Sequence, residues 1–221
     1  MACPENSAIE RICADLRTPV PPANIVLAYG KPAYSVTYLA LHMAFAGIAR
    51  EKPVVFLDGA NSFDPFLISK IARKTGLVPE ELLGRLYISR AFTCHQMQAL
   101  VVERLAGAFR RFKTNVAIVS GLLSTFYGQD VPFNEAYDLL KAITTEFVRL
   151  AGEGAHILIA CPDTHLPLES RQRQFVGLLK NISNRVLRSE GSNGRTGFIL
   201  ERPYRKEYEL IEIPQFSQTW R

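Results

Sequence analysis

The sequence predicts an α/β domain built on a mainly parallel central sheet that is flanked by helices. Strand-like apolar runs alternate with helical segments, and the first five runs are continuously apolar. Alternating β and α elements favour parallel pairing, and continuous apolar runs are typical of strands covered on both faces. The 221 residues, 48% hydrophobic and 21% charged, suit one ample domain or two small ones and exclude a disordered or collagen-like chain.

The strand-like runs number eight, and the last three are separated only by short turn-like breaks. This spacing predicts antiparallel edge strands that extend the sheet at its C-terminal side. In chain order the predicted strands cover residues 24–29, 54–58, 86–89, 116–120, 156–160, 184–188, 197–201 and 207–213.

Helices are predicted between these strands by capping residues and by apolar stripes. Asp64 before Pro65 is typical of a helix start, and residues 97–112 and 133–150 each carry an apolar stripe at helical spacing. Residues 36–49 are apolar nearly all round, which indicates a helix buried against the sheet. We therefore expect the histidine at position 42 of that helix to be a hydrogen-bonded core residue.

The chain is expected to divide into an N-terminal arm, a core domain and a C-terminal tail, at residues 1–23, 24–213 and 214–221. The prolines at 19, 21 and 22 predict a stiff lead into the core. Phe216 and Trp220 give the tail two aromatic side chains, which suit either docking into a partner groove or folding back on the domain.

The N-terminus lacks a basic start followed by an apolar stretch, and the apolar window at residues 39–49 is far shorter than the ~20 residues of a membrane span. We therefore expect an intracellular protein, cytoplasmic or nuclear, without a membrane partner. Its four cysteines, Cys3, Cys13, Cys94 and Cys161, form no CxxC pair and no zinc-like cluster, so reduced, mostly buried thiols are expected. The net charge of +5 permits a polyanionic partner.

The loop after the first predicted strand has the position of a phosphate-binding loop, whose pattern is GxxxxGK[ST]. Gly30 matches the first glycine and Thr37 the metal-binding hydroxyl, but Ser35 stands at the second glycine and Val36 at the lysine. Lys31 is nearby on the other side of the loop. The simpler interpretation is a strand-to-helix turn without phosphoryl transfer, because charge and positioning carry that reaction.

At these residues the chain resembles the ATPase core of the RecA/RadA-type recombinases and their paralogues. The resemblance spans about residues 24–213 and implies a RecA-like P-loop NTPase fold. Further segments that resemble this family, in the same order and spacing, are residues 55–65, 85–96, 116–127 and 184–188.

The departures from the family concern its catalytic positions. Ala60 aligns with the catalytic glutamate and Ser120 with the Walker B aspartate, while Val36 replaces the Walker A lysine. The resemblance therefore implies a pseudo-ATPase with no catalytic residue, no resident metal and no required cofactor. Bound ATP with magnesium would not be hydrolysed efficiently. A remodelled nucleotide site using Lys31, Thr37, Asp58 and Asp163 stays open as an alternative.

Basic residues concentrate where the resembled family has its second DNA-binding loop and the helix after it. This excess predicts phosphate contacts, although a solvated helix face or a protein-binding surface fits the same residues. The predicted DNA-binding residues are Arg171, Arg173, Lys180, Arg185 and Arg188. The segment between Phe126 and Phe133, which corresponds to the first DNA-binding loop, is short and lacks arginine.

The resemblance implies a non-catalytic recombinase paralogue in homologous recombination and DNA repair. Its expected partners are recombinase or paralogue subunits and single- or double-stranded DNA. Two alternatives stay open: a nucleotide-binding ATPase or switch with a remodelled P-loop, and a RecA-fold interaction scaffold without a DNA role.

Overall fold

A computed structural model describes residues 8–18, 24–127, 131–162, 170–192 and 195–212. Its centre is an eight-stranded sheet in the order β3-β2-β4-β5-β1-β6-β7-β8. The strands are β1 (Asn24–Gly30), β2 (Val54–Asp58), β3 (Leu86–Arg90), β4 (Val116–Ser120), β5 (His156–Pro162), β6 (Arg185–Ser192), β7 (Arg195–Arg202) and β8 (Lys206–Glu212). Strands β1 to β6 pair in parallel, whereas β7 is antiparallel to both of its neighbours.

Helices cover both faces of the sheet. They are α1 (Ala8–Arg17), α2 (Ala33–Ile48), α3 (Pro65–Lys74), α4 (Pro79–Leu83), α5 (Cys94–Gln98), α6 (Leu105–Phe112), α7 (Phe133–Gly152) and α8 (Ser170–Ile182). A π-helical stretch, Ala99–Arg104, joins α5 to α6, and a short 3-10 turn, Leu123–Phe126, follows β4. The stripe predicted over residues 97–112 is thus one continuous helical segment with a wider turn in its middle.

The central strands are apolar on both sides because each side has its own helical layer. In β1, Ile25 and Leu27 belong to the apolar cluster that contains α7 and α8, whereas Val26 and Ala28 belong to the cluster that contains α1 and α2. Side chains alternate between the two faces of a strand, so a continuous apolar run buries residues in both layers. The predicted mainly parallel sheet flanked by helices is confirmed.

The C-terminal strands differ in detail from the prediction. Strand β6 is not antiparallel to the main sheet, because Val26 to Gly30 pair with it in parallel. It also runs on to Ser192, four residues beyond the predicted end, and β7 begins at Arg195. The antiparallel prediction holds for β7 and β8. Ile213, the last residue of the predicted eighth strand, lies outside the described residues.

Part of the predicted N-terminal arm is a helix of the core. Helix α1 buries Ile9, Ile12, Cys13 and Leu16, which recur at helical spacing. Lys206 and the Tyr208 hydroxyl, both on β8, donate to the Asp15 carboxylate of this helix. The described part of residues 1–23 therefore packs on the domain. The proline-rich stretch after it lies outside the described residues.

Several local predictions concern single residues. The Asp64 carboxylate accepts hydrogen bonds from Phe66 N (2.8 Å) and Leu67 N (3.2 Å), which confirms the predicted cap of α3. Cys13, Cys94 and Cys161 are buried thiols, as expected, and Cys3 lies outside the described residues. The prediction for His42 is wrong: its Nε2 atom is buried without a hydrogen-bond partner. Within the described ranges, no helix is long and apolar enough to cross a membrane.

Candidate functional site

The loop between β1 and α2 is short and closely packed. Only Lys31 and Pro32 separate Gly30, the last residue of β1, from the start of α2. Gly30 has a φ of +115°, and a Cβ at this position would lie inside van der Waals contact with the Ser189 carbonyl oxygen of β6. Lys31 N donates to that same oxygen over 3.0 Å. The neighbouring strand therefore holds the loop at both residues.

Two serine hydroxyls bind carbonyl groups of this loop. Ser35, fully buried in the first turn of α2, donates through Oγ to the Pro32 carbonyl over 2.7 Å. Ser189 Oγ donates to the Lys31 carbonyl over 3.0 Å, and the two hydroxyl oxygens contact each other. Pro32 also packs tightly on Gly191 of β6. The carbonyl groups of Lys31 and Pro32 and the amides of Lys31 and Ser35 are thus bonded within the domain.

The remaining loop residues serve the fold. Val36, aligned with the Walker A lysine, is fully buried in the apolar cluster beneath α2. Thr37 is half-buried one residue further along the helix, and Lys31 is half-buried beside Pro32. The structure therefore brings the five predicted loop residues together, but their packing leaves no basic group at the Walker A lysine position.

The carboxyl ends of β2 and β4 lie side by side, and β5 separates them from β1. Asp58 is 1% exposed, and its carboxylate accepts from Ser62 N (3.0 Å) and Phe63 N (3.0 Å). Its Oδ2 lies 3.8 Å from Arg90 Nε. Both carboxylate oxygens are therefore used to hold the turn after β2. Because they are engaged by the backbone, Asp58 anchors the turn rather than projecting toward a ligand.

The two aligned catalytic positions lie close together next to Asp58. Ser120 is fully buried, with its hydroxyl 3.3 Å from the Ser62 hydroxyl, and its carbonyl accepts from Gly59 N over 2.7 Å. A Cβ added at Gly121 would lie inside van der Waals contact with Ala60, so Gly121 has no room for a side chain without movement. Within the described ranges, no group of three or more His, Cys, Asp or Glu residues could hold a metal ion.

The basic residues predicted to bind DNA do not form one free surface. Arg185 is 7% exposed and donates to the carbonyl oxygens of Leu16 (3.3 Å) and Thr18, so it holds the end of α1. Burial lowers the pKa of its guanidinium. Arg171 donates to the carbonyls of Phe126 (3.1 Å) and Val131 (3.2 Å), where it bridges the two sides of the short loop.

Lys180 and Arg188 belong to a third, separate network. Lys180 Nζ donates to the Tyr29 hydroxyl (2.6 Å) and to Glu201 (3.2 Å), and Arg188 Nε donates to the same carboxylate over 2.7 Å. Arg188 also pairs with Glu190. Burial is the main cause that raises the pKa of the Tyr29 hydroxyl. The fifth residue, at position 173, is exposed on α8.

Other predicted ligand positions fall outside the described residues. These are Asp163, Phe216 and Trp220.

The sequence did not lead us to expect one group of exposed apolar side chains. Strand β3 ends the sheet, and on it Ile88 is 41% exposed. Phe92, two residues past this strand, and Phe66, at the start of α3 after β2, are 69% and 70% exposed. The sequence could have indicated that Phe66 is exposed, because it precedes the apolar stripe of α3, which begins at Leu67.

No protein-family model matches the chain. The loop after β1, which aligns with a phosphate-binding loop, is held by hydrogen bonds from β6 and from the first turn of α2.

Proposed function

We propose that the protein is a non-catalytic paralogue of the RecA/RadA-type recombinases, with a RecA-like fold, that acts as a protein-binding subunit in homologous recombination and DNA repair. The observation that carries this proposal is the closed loop between β1 and α2. The Ser35 and Ser189 hydroxyls bind the carbonyl groups of Pro32 and Lys31, and Gly30 packs on the β6 backbone. Phosphoryl transfer needs a backbone cradle and a positioned cation, and this loop offers neither in its closed form.

The basic residues support a protein partner over direct DNA contact. Four of the five predicted DNA contacts, at positions 171, 180, 185 and 188, already bind carbonyl or carboxylate oxygens of the domain. Moving such a cation onto a phosphate would leave its present acceptor without a donor, which offsets the electrostatic gain.

The edge of the sheet at β3 supplies a surface for a protein partner. An edge strand presents unpaired backbone groups, and an extended segment of another chain can add to it as a further strand. Ile88 on this strand and Phe92, two residues beyond it, provide exposed apolar side chains. The partner expected here is a catalytically complete RecA-type recombinase of the same organism, which would contribute one extended, apolar segment.

Nucleotide titration tests the loss of ATP binding. A ligand at 100 times its Kd stabilises a protein by about 2.7 kcal/mol, which for this size raises Tm by about 5–10 °C. We expect ATP with magnesium to change Tm by less than about 1 °C. A saturable increase that Thr37→Ala abolishes would refute the pseudo-ATPase proposal, because that variant removes the hydroxyl aligned with the metal ligand of a working loop.

Binding to the purified recombinase tests the partner. We expect Ile88→Asp and Phe92→Asp each to weaken binding at least about tenfold, since each puts a charge into an apolar interface. Val148→Asp is the matched control, because Val148 is 46% exposed on α7, on the helical layer formed by α5 to α8. Equal loss in all three variants, or no binding by the wild-type chain, would contradict the proposal.

A further inference from the structure

Four exposed cationic side chains lie together at the amino edge of the sheet, the edge where the parallel strands begin. Arg50 and Lys52 lie between the end of α2 and the start of β2. Arg110 belongs to the last turn of α6, and Lys113 follows that helix shortly before β4, the neighbour of β2. Lys52 lines one hollow with Arg50 and a second hollow with Arg110 and Lys113, so the four residues are contiguous. They form the amino-edge track.

The side chains of the amino-edge track bind no acceptor of the domain. Within the described ranges, none of the four forms an ion pair or a side-chain hydrogen bond. Glu51, which lies between Arg50 and Lys52 in the chain, is 3.8 Å from Arg85 instead. The arginines that do bind carbonyl or carboxylate oxygens of the domain include Arg149, Arg171, Arg185, Arg188 and Arg202. The track therefore differs from the residues predicted to bind DNA, because its cations are open to an external anion.

Charges of the same sign act on one another at this edge. Burial and then the Arg50 charge lower the pKa of the Arg17 guanidinium at the end of α1. Burial and then the Lys52 charge lower the pKa of His156 at the start of β5. Repulsion between uncompensated like charges destabilises the folded domain, and a bound polyanion would relieve it.

The dimensions of this edge suit a row of phosphates. The two hollows that the track lines extend along the starts of β2, β4, β5 and β1, which are consecutive in the sheet. Three strand spacings of about 4.8 Å give a length of about 14 Å. One strand of duplex DNA carries a charge at about every 3.4 Å of helix rise, so this length faces about four phosphates.

The surroundings favour a duplex backbone over a protein segment or a single strand. None of the large exposed apolar side chains of the described surface lines the hollow between Lys52 and Lys113, and Phe109, which does line it, is half-buried. Protein interfaces centre on apolar anchors, whereas protein–DNA interfaces are polar and positively charged. Phe112 stacks on Tyr87 with 3.5 Å between ring centroids, so that ring is not available to stack on unpaired bases.

We propose that the amino-edge track binds the phosphate backbone of duplex DNA without regard to sequence. Each of its four cations donates to phosphate oxygens, and no base edge is read. The choice of DNA over duplex RNA rests on the proposed function in DNA repair. Contact with about four phosphates predicts that log K falls with log [salt] at a slope of about −3 to −4.

Fluorescence anisotropy of a short labelled DNA duplex, titrated with the full chain, tests the proposal. We expect a Kd of about 1–100 µM at physiological salt, and an affinity that falls about 100-fold between about 50 and 200 mM salt. No binding at about 50 mM salt, or affinity independent of salt, would overturn the site.

Three competitors test the class of ligand. Single-stranded DNA of the same length, an RNA duplex of the same sequence and polyglutamate should each displace the labelled duplex less well than unlabelled DNA duplex does. Equal or better displacement by the single strand would overturn the assignment to a duplex, and by the RNA duplex the assignment to DNA. Equal displacement by polyglutamate would assign the track to an acidic protein segment instead.

Two double variants locate the binding. Lys52→Gln with Lys113→Gln should weaken the duplex at least about tenfold at about 50 mM salt and make the salt slope shallower by about 2. Lys70→Gln with Lys141→Gln removes the same charge from exposed positions on α3 and α7 and should change the affinity by less than about twofold. Equal losses in the two double variants would refute the track, because net charge alone would then explain the binding.

The assay contains neither ATP nor the recombinase. Failure of DNA binding therefore leaves the proposed protein partner at β3 untouched, and failure of recombinase binding leaves the DNA titration unchanged. All four substituted lysines are exposed, so both double variants are expected to fold.

Discussion

Substitution of Gly30 by alanine probes how closely the loop after β1 packs on β6. The new Cβ would lie well under 3.0 Å from the Ser189 carbonyl oxygen and 3.0 Å from its amide nitrogen. Both atoms belong to a strand in the middle of the sheet, so they cannot withdraw as the end of a flexible side chain could. The φ of +115° adds backbone strain that L-residues avoid.

The expected loss of unfolding free energy is the sum of these two effects. Positive φ costs a non-glycine residue about 1–2 kcal/mol, and forcing extra atoms into a packed interior costs about 1–3 kcal/mol. Gly30→Ala should therefore destabilise the protein by about 2–5 kcal/mol. Urea unfolding followed by circular dichroism measures this, provided that the m-value is unchanged.

Two other glycines allow the free-energy cost of backbone strain to be measured apart from the cost of a steric contact. Gly154 has a φ of +95°, but a Cβ added there would have no heavy atom within 4 Å, so Gly154→Ala should cost only the strain, about 1–2 kcal/mol. Gly177 lies inside α8, also in open space, so Gly177→Ala should stabilise by about 0.5–1 kcal/mol. If Gly30→Ala costs no more than Gly154→Ala, the loop does not pack on β6 as described.

Three further predictions concern buried or half-buried polar groups and are measured by urea unfolding. Burial lowers the pKa of His42 to about 4, below the unfolded value near 6.5, so the unfolded state binds more protons and stability should fall by about 1–2 kcal/mol from pH 7 to pH 5. His42→Gln should remove much of that slope; an unchanged slope would assign it to other groups. Glu201→Gln should cost about 1–3 kcal/mol because two cations lose their counter-charge, and a neutral result would contradict the described network. Arg185→Ala should cost about 2 kcal/mol by freeing the end of α1, whereas Lys70→Ala on the surface should stay within about 0.5 kcal/mol; equal effects would argue against that anchoring role.

The central sheet was predictable because its signal is local. A strand covered on both faces must be apolar throughout, and β2 and β4 appear in the sequence with the bounds that the structure gives them. Helix α1 was missed although Ile9, Ile12 and Leu16 recur at helical spacing. The prolines that follow it favour an extended lead, and a ten-residue helix is only marginal until its apolar face packs.

The sequence could not show whether the basic residues face solvent or bind groups of the domain, because their partners are distant along the chain. Arg185 binds carbonyls of residues 16 and 18, and Lys180 binds a carboxylate contributed by β7. A local excess of cations measures only the charge of a segment. Whether that charge faces solvent depends on which acceptors the fold brings beside it.

Gly30 shows how a partial motif match can have a purely structural cause. A glycine is required there because its φ is positive and because β6 runs immediately beside it, and both reasons hold without a nucleotide. Ser35 then replaces a second glycine with a hydroxyl that bonds the loop's own carbonyl. The resemblance of this segment to a phosphate-binding loop therefore concerns the strand-loop-helix arrangement. Phosphoryl transfer would depend on the two positions where this chain carries Ser35 and Val36.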